Sequence, residues 1–290
     1  MKTYDFAFSC GQQCGCSLAL RAANLQFASY PFDWAATPSF KSAAETIAAD
    51  FKDWLHAEDL HLVAVRRGGL NKHVYYNPRT GYGFVHDFSS FKTFEESFPK
   101  VAAKYARRIE RLQKDLAKAK RILAVCIEMP NRTRCTNESL IEARQILMAK
   151  YPNAKFDLLY FYELDGVKVA QAKEVAEGIT VAGLDYRTFE FGELNHEVHT
   201  DGIVQYLKAN VAVPDPRTEE EKAEYKKTWA KQDKERWGTD GAWAVFKRRT
   251  AYRIYRKLEK FLVKEGLLPR ERPIWFPGPN EIKSNQEKSK

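Results

Sequence analysis

The sequence predicts an α/β protein with a mostly parallel, Rossmann-like sheet flanked by helices and a basic helical extension at its C-terminus. Apolar strand-like runs alternate with helical patterns over most of residues 1–213, which is typical of parallel β-α-β units. Of the 290 residues, 44% are hydrophobic and 13% aromatic, enough apolar material for a sizeable core. The excess positive charge lies late, because residues 241–272 hold ten Lys or Arg against three Glu, a net charge of +7.

The first half of the chain combines strand-like and helical segments separated by turns. Residues 4–9 predict a short buried strand, Gly11 a tight turn, and residues 14–24 a helix, which together form the opening unit of an α/β domain. The remaining elements of this half are, in order, a loop at 30–34, a helix at 42–55, strands at 60–65, 73–76 and 82–88, and a long charged helix at 94–120.

The α/β alternation is clearest in the middle of the chain. An apolar strand at 121–128 precedes a helix at 137–150, capped by Thr136 or Asn137, and a second strand follows at 156–163. The later predicted elements are short strands at 167–170, 179–182 and 188–191, a helix at 202–211, a polar helix at 219–232 and a basic amphipathic helix at 242–265.

Pro214 and Pro216 mark a change from α/β alternation to polar and basic sequence. We therefore predict an α/β catalytic-type domain over residues 1–213 and a basic helical extension over residues 214–272. A flexible tail, rich in proline and then in polar residues, is predicted over residues 273–290.

Cysteine usage and the N-terminal residues bear on the cellular compartment. The five cysteines are an odd number, which does not suggest a disulfide framework in a chain of this size. No run approaches the roughly 18 apolar residues needed to span a bilayer, and the N-terminal residues lack the regions of a signal peptide. We therefore expect a cytoplasmic protein.

The basic helix at 242–265 leaves two interpretations open. Its apolar stripe either packs on the α/β core, with the basic residues solvated, or attaches to an anionic membrane surface at the inner face of the membrane. A nucleic-acid partner is not expected, because no recognised binding motif accompanies the charge. The stripe consists of Ala251, Ile254, Tyr255, Leu258, Phe261 and Leu262.

Cys14 is the first candidate catalytic residue. Gly11 allows a sharp turn out of the first strand, which places Cys14 in the first turn of the following helix. Backbone N–H groups and the positive end of the helix dipole stabilise a thiolate there and lower its pKa. The same N–H groups can hold an oxyanion, whereas the alternative is a set of ordinary cysteines packed around a turn.

His86 and Asp87 form the second candidate pair. His86 ends an apolar strand, where an imidazole can reach a thiolate on a neighbouring helix and act as general base. Asp87 can orient His86 only if the strand bends locally, because adjacent side chains on a regular strand point to opposite faces. Otherwise the third member comes from elsewhere, for example from Asp33.

Metal and nucleotide chemistry are not expected. The spacing of Cys10, Cys14 and Cys16 does not match the paired C-x2-C knuckles of structural zinc sites, and no histidine adjoins it. His196 and His199 are three residues apart rather than four, so they do not form a metalloprotease motif. Both glycine-rich nucleotide fingerprints are missing from the sequence, and no cofactor is predicted.

Four motifs in order resemble one known family. They are Gly11-x-x-Cys14 followed by Leu20-Arg21, Ser29-x-Pro31-Phe32-Asp33-Trp34, His86-Asp87-Phe88 and Lys104-Tyr105-x-Arg107-Arg108-Ile109. The series is similar to a bacterial family of unknown function described as papain-like cysteine peptidases, and it covers roughly residues 4–165. The resemblance implies a hydrolase with Cys14 as nucleophile and His86 as base.

The resemblance also implies a set of substrate contacts. Its motifs place the aromatic loop with Asp33 and Trp34, and the basic pair Arg107 and Arg108, in the candidate site. Phe8 stands where papain-like enzymes have an oxyanion glutamine. Gln12, Gln13 or backbone N–H groups near Gly11 would then bind the oxyanion instead.

Three functions therefore stay open on the sequence. The leading one is a cysteine-dependent hydrolase or acyl transferase that uses Cys14, His86 and either Asp87 or Asp33. The second is an enzyme of surface-glycan assembly that acts on a sugar or sugar phosphate without a covalent cysteine step. The third is a non-catalytic protein that docks on a membrane or partner. The expected substrate is accordingly a small molecule, a glycan or a peptide.

Overall fold

The computed structural model describes residues 1–66, 72–129, 134–186, 200–224 and 227. The chain divides into two units, one of residues 1–66, 71–214 and 274–290, the other of residues 67–70 and 215–273. The candidate site residues named above all belong to the first unit.

The centre of the first unit is a five-stranded sheet in the order β2-β7-β8-β10-β9. The strands β2, β7, β8 and β10 run parallel, and β9 is antiparallel to β10 at the edge. Their bounds are Phe6–Ser9 for β2, Arg121–Ile127 for β7, Lys155–Glu163 for β8, Gln171–Ala176 for β9 and Ile179–Leu184 for β10. A mostly parallel α/β sheet flanked by helices is thereby confirmed. The four parallel strands follow one another in chain order, and a Rossmann-like arrangement stays a prediction.

Strand β7 shows why this sheet lies in the middle of the fold. Six of its seven residues are buried, as expected for a parallel strand covered on both faces. Alternate side chains enter two separate cores, because successive residues of a strand point to opposite faces. Ile122, Ala124 and Cys126 join one apolar cluster, and Leu123, Val125 and Ile127 join the other.

In the described part of the chain, five helices cover the two faces of the sheet. Helices α2, α3 and α4 contribute to the first apolar cluster, and helices α1 and α5 contribute to the second. Their bounds are Cys14–Ala22 for α1, Phe40–Ala48 for α2, Phe94–Lys118 for α3, Asn137–Lys150 for α4 and Asp201–Asn210 for α5. The side chains of Ser39, Thr93 and Thr136 cap α2, α3 and α4 by accepting from a backbone N–H of the first turn.

A second, antiparallel sheet has the order β3-β6-β5-β4. Its strands are Ala35–Ala36 for β3, His61–Arg66 for β4, Lys72–Asn77 for β5 and Tyr82–Ser89 for β6. The chain enters β3 from a 3-10 turn, η1, at Pro31–Trp34, and a second such turn, η2, lies at Ala57–Asp59. The short strands β1, Lys2–Thr3, and β11, Val211–Ala212, pair in parallel.

The structure corrects two predicted elements. The helix predicted at 42–55 ends at Ala48, because Asp50 and Phe51 adopt positive φ angles of 53° and 59° and turn the chain. The strand predicted at 167–170 is wrong, and the strand of this region is β9, a few residues later. The strand predicted at 188–191 lies outside the described residues.

Little of the basic extension is described. Residues 219–224 are helical, and Thr218 and Glu221 form a capping box at their start. The basic helix predicted at 242–265 lies outside the described residues, and the predicted domain boundaries stay predictions. No helix in the described part of the chain is both long enough and apolar enough to cross a membrane.

Candidate active site

Cys14 is the first residue of helix α1, at the end of the loop that leaves the carboxyl end of β2. Gln13 precedes it in an extended conformation and makes no side-chain cap bond, and the first turn holds no acidic residue. The first N–H groups of a helix lack partners within it, and they carry the positive end of its dipole. The Cys14 thiol is partly exposed, so a thiolate here would combine access with electrostatic stabilisation.

The other cysteines occupy a different environment. Cys10, Cys16 and Cys126 are fully buried, and the Cys16 thiol donates to the Val125 carbonyl at 3.3 Å. Burial raises the pKa of Cys16 to about 12 and raises the pKa of Cys10 and Cys126 well above the usual value. Burial also raises the pKa of the half-buried Cys135. Their pKa values keep these four thiols protonated near neutral pH.

Backbone hydrogen bonds fix the loop before Cys14. The Gln12 N–H donates to the Ile127 carbonyl at 3.0 Å, and the Ile127 N–H donates to the Gly11 carbonyl at 2.9 Å. On its other side, the Thr37 N–H donates to the Gln12 carbonyl at 3.1 Å. The loop is therefore held between the end of β7 and the residue that follows β3.

The two glutamines of the loop differ in role. The Gln12 side chain is fully buried, donates to the Pro38 carbonyl at 3.2 Å and accepts from the Met129 N–H at 2.6 Å. Its amide thus braces the loop. Gln13 is only partly buried, and its amide donates to the Glu128 carbonyl at 3.4 Å. Of the two, Gln13 is the more exposed.

Gly11 fills a position that no other residue fits. Its φ is +96°, and a Cβ added there would lie 2.3 Å from the Thr37 hydroxyl oxygen and 2.7 Å from the Thr37 Cβ. We predict that Gly11→Ala lowers the free energy of unfolding by about 2–4 kcal/mol, measured by urea denaturation, because backbone strain and a clash add. Gly166→Ala is the matched control, with φ +73° and nothing within 4 Å of the added Cβ. Equal losses for the two variants would rule out the clash.

His86 lies in an irregular part of β6. Tyr75 pairs with Phe84 and His73 pairs with Phe88, so the segment Val85–Asp87 faces Val74 alone. A bulge of this kind bends a strand and re-aims its side chains. The His86 ring meets the Trp34 ring edge to face, with centroids 5.5 Å apart and an interplanar angle of 78°. The strand is thus irregular at the position where the sequence analysis asked for a local bend.

Asp87 is directed at helix α3. Its side chain is 2% exposed, with one carboxylate oxygen paired with the Lys104 ammonium. The other oxygen accepts from the Tyr105 hydroxyl at 2.8 Å. Burial, with the negative charge of Asp87 beside it, raises the Tyr105 pKa. Asp87 thus ties the bulge to α3 through both carboxylate oxygens.

Asp33 lies in the interior of η1. One carboxylate oxygen accepts from Arg21 at 3.0 Å, from the Gln26 amide at 2.8 Å and from the Tyr30 N–H at 2.9 Å. Burial raises the Asp33 pKa, and these three donors oppose that shift. The neighbouring Phe32 is fully buried, as its apolar character predicts.

Shared contacts link several of the elements that carry the predicted site residues. Elements α1, η1 and β6 form a connected set, since Arg21 joins the first two and the Trp34–His86 contact joins the last two. On α3, Arg107 is exposed and the Arg108 guanidinium lies 5.4 Å from the Tyr105 ring centroid. The partners missing from the sequence-based site are Arg21, Gln26, Lys104 and Tyr105. Arg21, Lys104 and Tyr105 belong to the quoted motifs, which was the available signal.

Among the described residues, no group of three or more His, Cys, Asp or Glu side chains is arranged to hold a metal ion. A family model described as "Putative papain-like cysteine peptidase (DUF1796)" matches residues 5–161, more than half of the chain. That range contains Cys14, His86 and every other candidate residue discussed above. No curated protein and no solved structure shows significant similarity to the chain. The chain therefore belongs to this family of papain-like cysteine peptidases.

Proposed function

We propose that the chain is a cysteine-dependent hydrolase in which Cys14 is the nucleophile and His86 the general base. The observation that carries the proposal is the contrast among the cysteines: Cys14 is partly exposed and begins a helix, whereas the partly exposed Cys135 lies outside its helix, before the cap of α4, and has a raised pKa. The bulge that displays His86 supports it, because such irregular strands are common beside active sites.

The proposed reaction proceeds in two steps. The Cys14 thiol passes its proton to His86, and the sulfur attacks a substrate carbonyl to give a tetrahedral oxyanion. The oxyanion is held by N–H groups at the start of α1, and Gln13 is the side chain available to add a bond. The His86 imidazolium then protonates the leaving group, which leaves an acyl group on Cys14. Water, deprotonated by His86, releases the acid and restores the thiol.

The remaining candidate residues take supporting roles in this proposal. Asp87 holds the bulge of His86 against α3, as a positioning residue rather than a third reacting group. Trp34 and the basic pair Arg107 and Arg108 are the proposed substrate contacts, since an exposed cation and an aromatic ring favour an anionic or amphipathic acyl substrate. The family description favours peptide-type substrates over the glycan alternative.

The proposal is tested by acyl-enzyme formation. The ester p-nitrophenyl acetate reports any nucleophile that forms an acyl intermediate, because nitrophenolate is released as the acyl group transfers. We expect a burst of about one nitrophenolate per chain. Cys14→Ser should abolish the burst, and His86→Gln should slow it roughly 100-fold at pH 7.5, the usual range for the loss of a general base.

Two matched controls accompany the burst experiment. Cys135→Ser removes the other partly exposed cysteine, and His73→Gln removes a histidine of the neighbouring strand β5. Both should leave the burst unchanged. A burst that survives Cys14→Ser would assign the reaction to another group and refute the proposed nucleophile.

A further inference from the structure

An ion pair with a fully buried carboxylate joins the helix that carries Cys14 to the turn that carries Trp34. The Arg21 guanidinium of α1 lies 3.0 Å from the Asp33 carboxylate of η1, and their side chains are 22% and 0% exposed. We infer that this pair holds the nucleophile, Cys14, and the general base, His86, in fixed positions relative to each other. The inference rests on the proposed function and assigns Asp33 a role other than contact with the substrate.

The pair is connected to Cys14 along one face of α1. Residues three or four apart on a helix are neighbours, so Cys14, Ser17 and Arg21 follow one another on the same side. The Arg21 Nε donates to the Ser17 hydroxyl at 3.2 Å, which holds the guanidinium against the helix. Arg21 also donates to the Ala28 carbonyl at 2.8 Å. A rotation of α1 would break the bonds from Arg21 to Ala28 and Asp33, which lie outside the helix, so these two bonds fix the direction in which Cys14 points.

On the other side, the pair fixes η1 and thereby His86. Asp33 accepts from the N–H of Tyr30, which caps the turn, and from Gln26 in the loop before it. Trp34 follows Asp33 directly, and its ring contacts the His86 ring. Three consecutive links therefore run from Cys14 to His86: helix α1, the Arg21–Asp33 pair, and the Trp34–His86 contact.

The burial of Asp33 distinguishes a positioning role from direct contact with the substrate. Asp33 is 0% exposed, so a substrate cannot reach its carboxylate without unfolding the turn. A carboxylate in such a place is retained only where its charge is matched, and Arg21 is the cation that matches it. The pair therefore acts on the reaction through the positions of other groups.

The test compares Asp33→Asn and Arg21→Lys with the wild type in the full chain. One readout is the pH titration of the His86 imidazole resonance by NMR. The other is the pH profile of Cys14 alkylation by iodoacetamide, resolved by peptide mass spectrometry. We expect Asp33→Asn to move the His86 midpoint by at least about 0.5 pH unit and to slow Cys14 alkylation about tenfold at pH 7.5. Arg21→Lys keeps the charge but loses the planar fork, and it should give intermediate values.

Arg144→Gln is the matched control for lost structure. Arg144 lies on α4, and its Nε donates to the Phe156 carbonyl at 2.7 Å, so its removal costs a comparable bond away from the site. This variant should leave both readouts at wild-type values, even if its melting temperature falls. Wild-type values for both readouts in folded Asp33→Asn and Arg21→Lys would overturn the positioning role.

The two proposals fail in different ways. If wild-type Cys14 reacts no faster than an ordinary thiol while Asp33→Asn still moves the His86 titration, the link stands and the proposed function fails. If wild-type Cys14 is reactive and neither variant changes its profile or the His86 titration, the function stands and the link fails. If the Asp33→Asn variant does not fold, the Arg21→Lys variant tests the positioning role with the same two readouts.

Discussion

At pH 7.5, iodoacetamide should alkylate Cys14 at least about 1,000-fold faster than Cys16, two residues further along the same helix. Only the thiolate reacts, so the rate follows the ionised fraction and the access of the reagent. An accessible thiol with an ordinary pKa near 8.5 is roughly 10% ionised at this pH. Burial raises the pKa of Cys16 to about 12, so its ionised fraction is lower by more than three orders of magnitude.

The same reasoning extends to the other cysteines. Cys10 and Cys126 are buried and have strongly raised pKa values, so iodoacetamide should alkylate them only when the fold opens. Cys135 is the informative competitor, because it is partly exposed while its pKa is raised. Peptide mass spectrometry of a timed reaction measures all five sites together. Protein unfolded in urea is the control, since all five thiols should then react at similar rates.

Two labelling results would contradict the expected reactivity of Cys14. Equal labelling of Cys14 and Cys126 in the folded protein would mean that the loop opens on the time scale of the reaction. Equal labelling of Cys14 and Cys135 would mean that the helix N-terminus gives Cys14 no advantage. Either result would contradict the premise of the hydrolase proposal, which is that Cys14 differs from the other cysteines.

The parts of the site that follow local sequence rules were predictable. Cys14 at a helix start follows from a strand, a glycine and an apolar helical pattern within twenty residues. The continuous apolar run of β7 likewise predicts a parallel strand covered on both faces, and the structure has one. In each case the signal and the structure that it specifies lie in the same short segment.

The parts set by tertiary pairing were not predictable from the sequence. The bulge at Val85–Asp87 depends on how β6 pairs with β5, and the residues of the bulge carry no turn signal. Asp87 and Tyr105 are 18 residues apart in sequence, and nothing local shows that they bond. The apolar period of α2 continues past Ala48, but the positive φ angles of Asp50 and Phe51 end the helix.

That early end of α2 places Trp54 in the core, where it should contribute more to stability than any single residue of the site. Trp54 is 2% exposed, and its ring lies 4.5–5.7 Å from five aromatic rings, those of Phe32, Phe51, Tyr82, Phe84 and Tyr105. We expect Trp54→Ala to lower the free energy of unfolding by about 3–5 kcal/mol, measured by urea denaturation.

The Trp54→Phe variant distinguishes the contribution of ring packing to stability from the cost of burying the indole N–H. The indole nitrogen of Trp54 is buried without a hydrogen-bond partner, so its removal should recover part of the free energy of desolvation. We therefore expect Trp54→Phe to cost less than half as much as Trp54→Ala. Because the ring contacts η1, β6 and α3 at once, its loss should also slow Cys14 alkylation in protein that is still folded. A Trp54→Ala variant that loses less than about 1 kcal/mol would show that these rings repack, since a cavity of this size otherwise costs several times more.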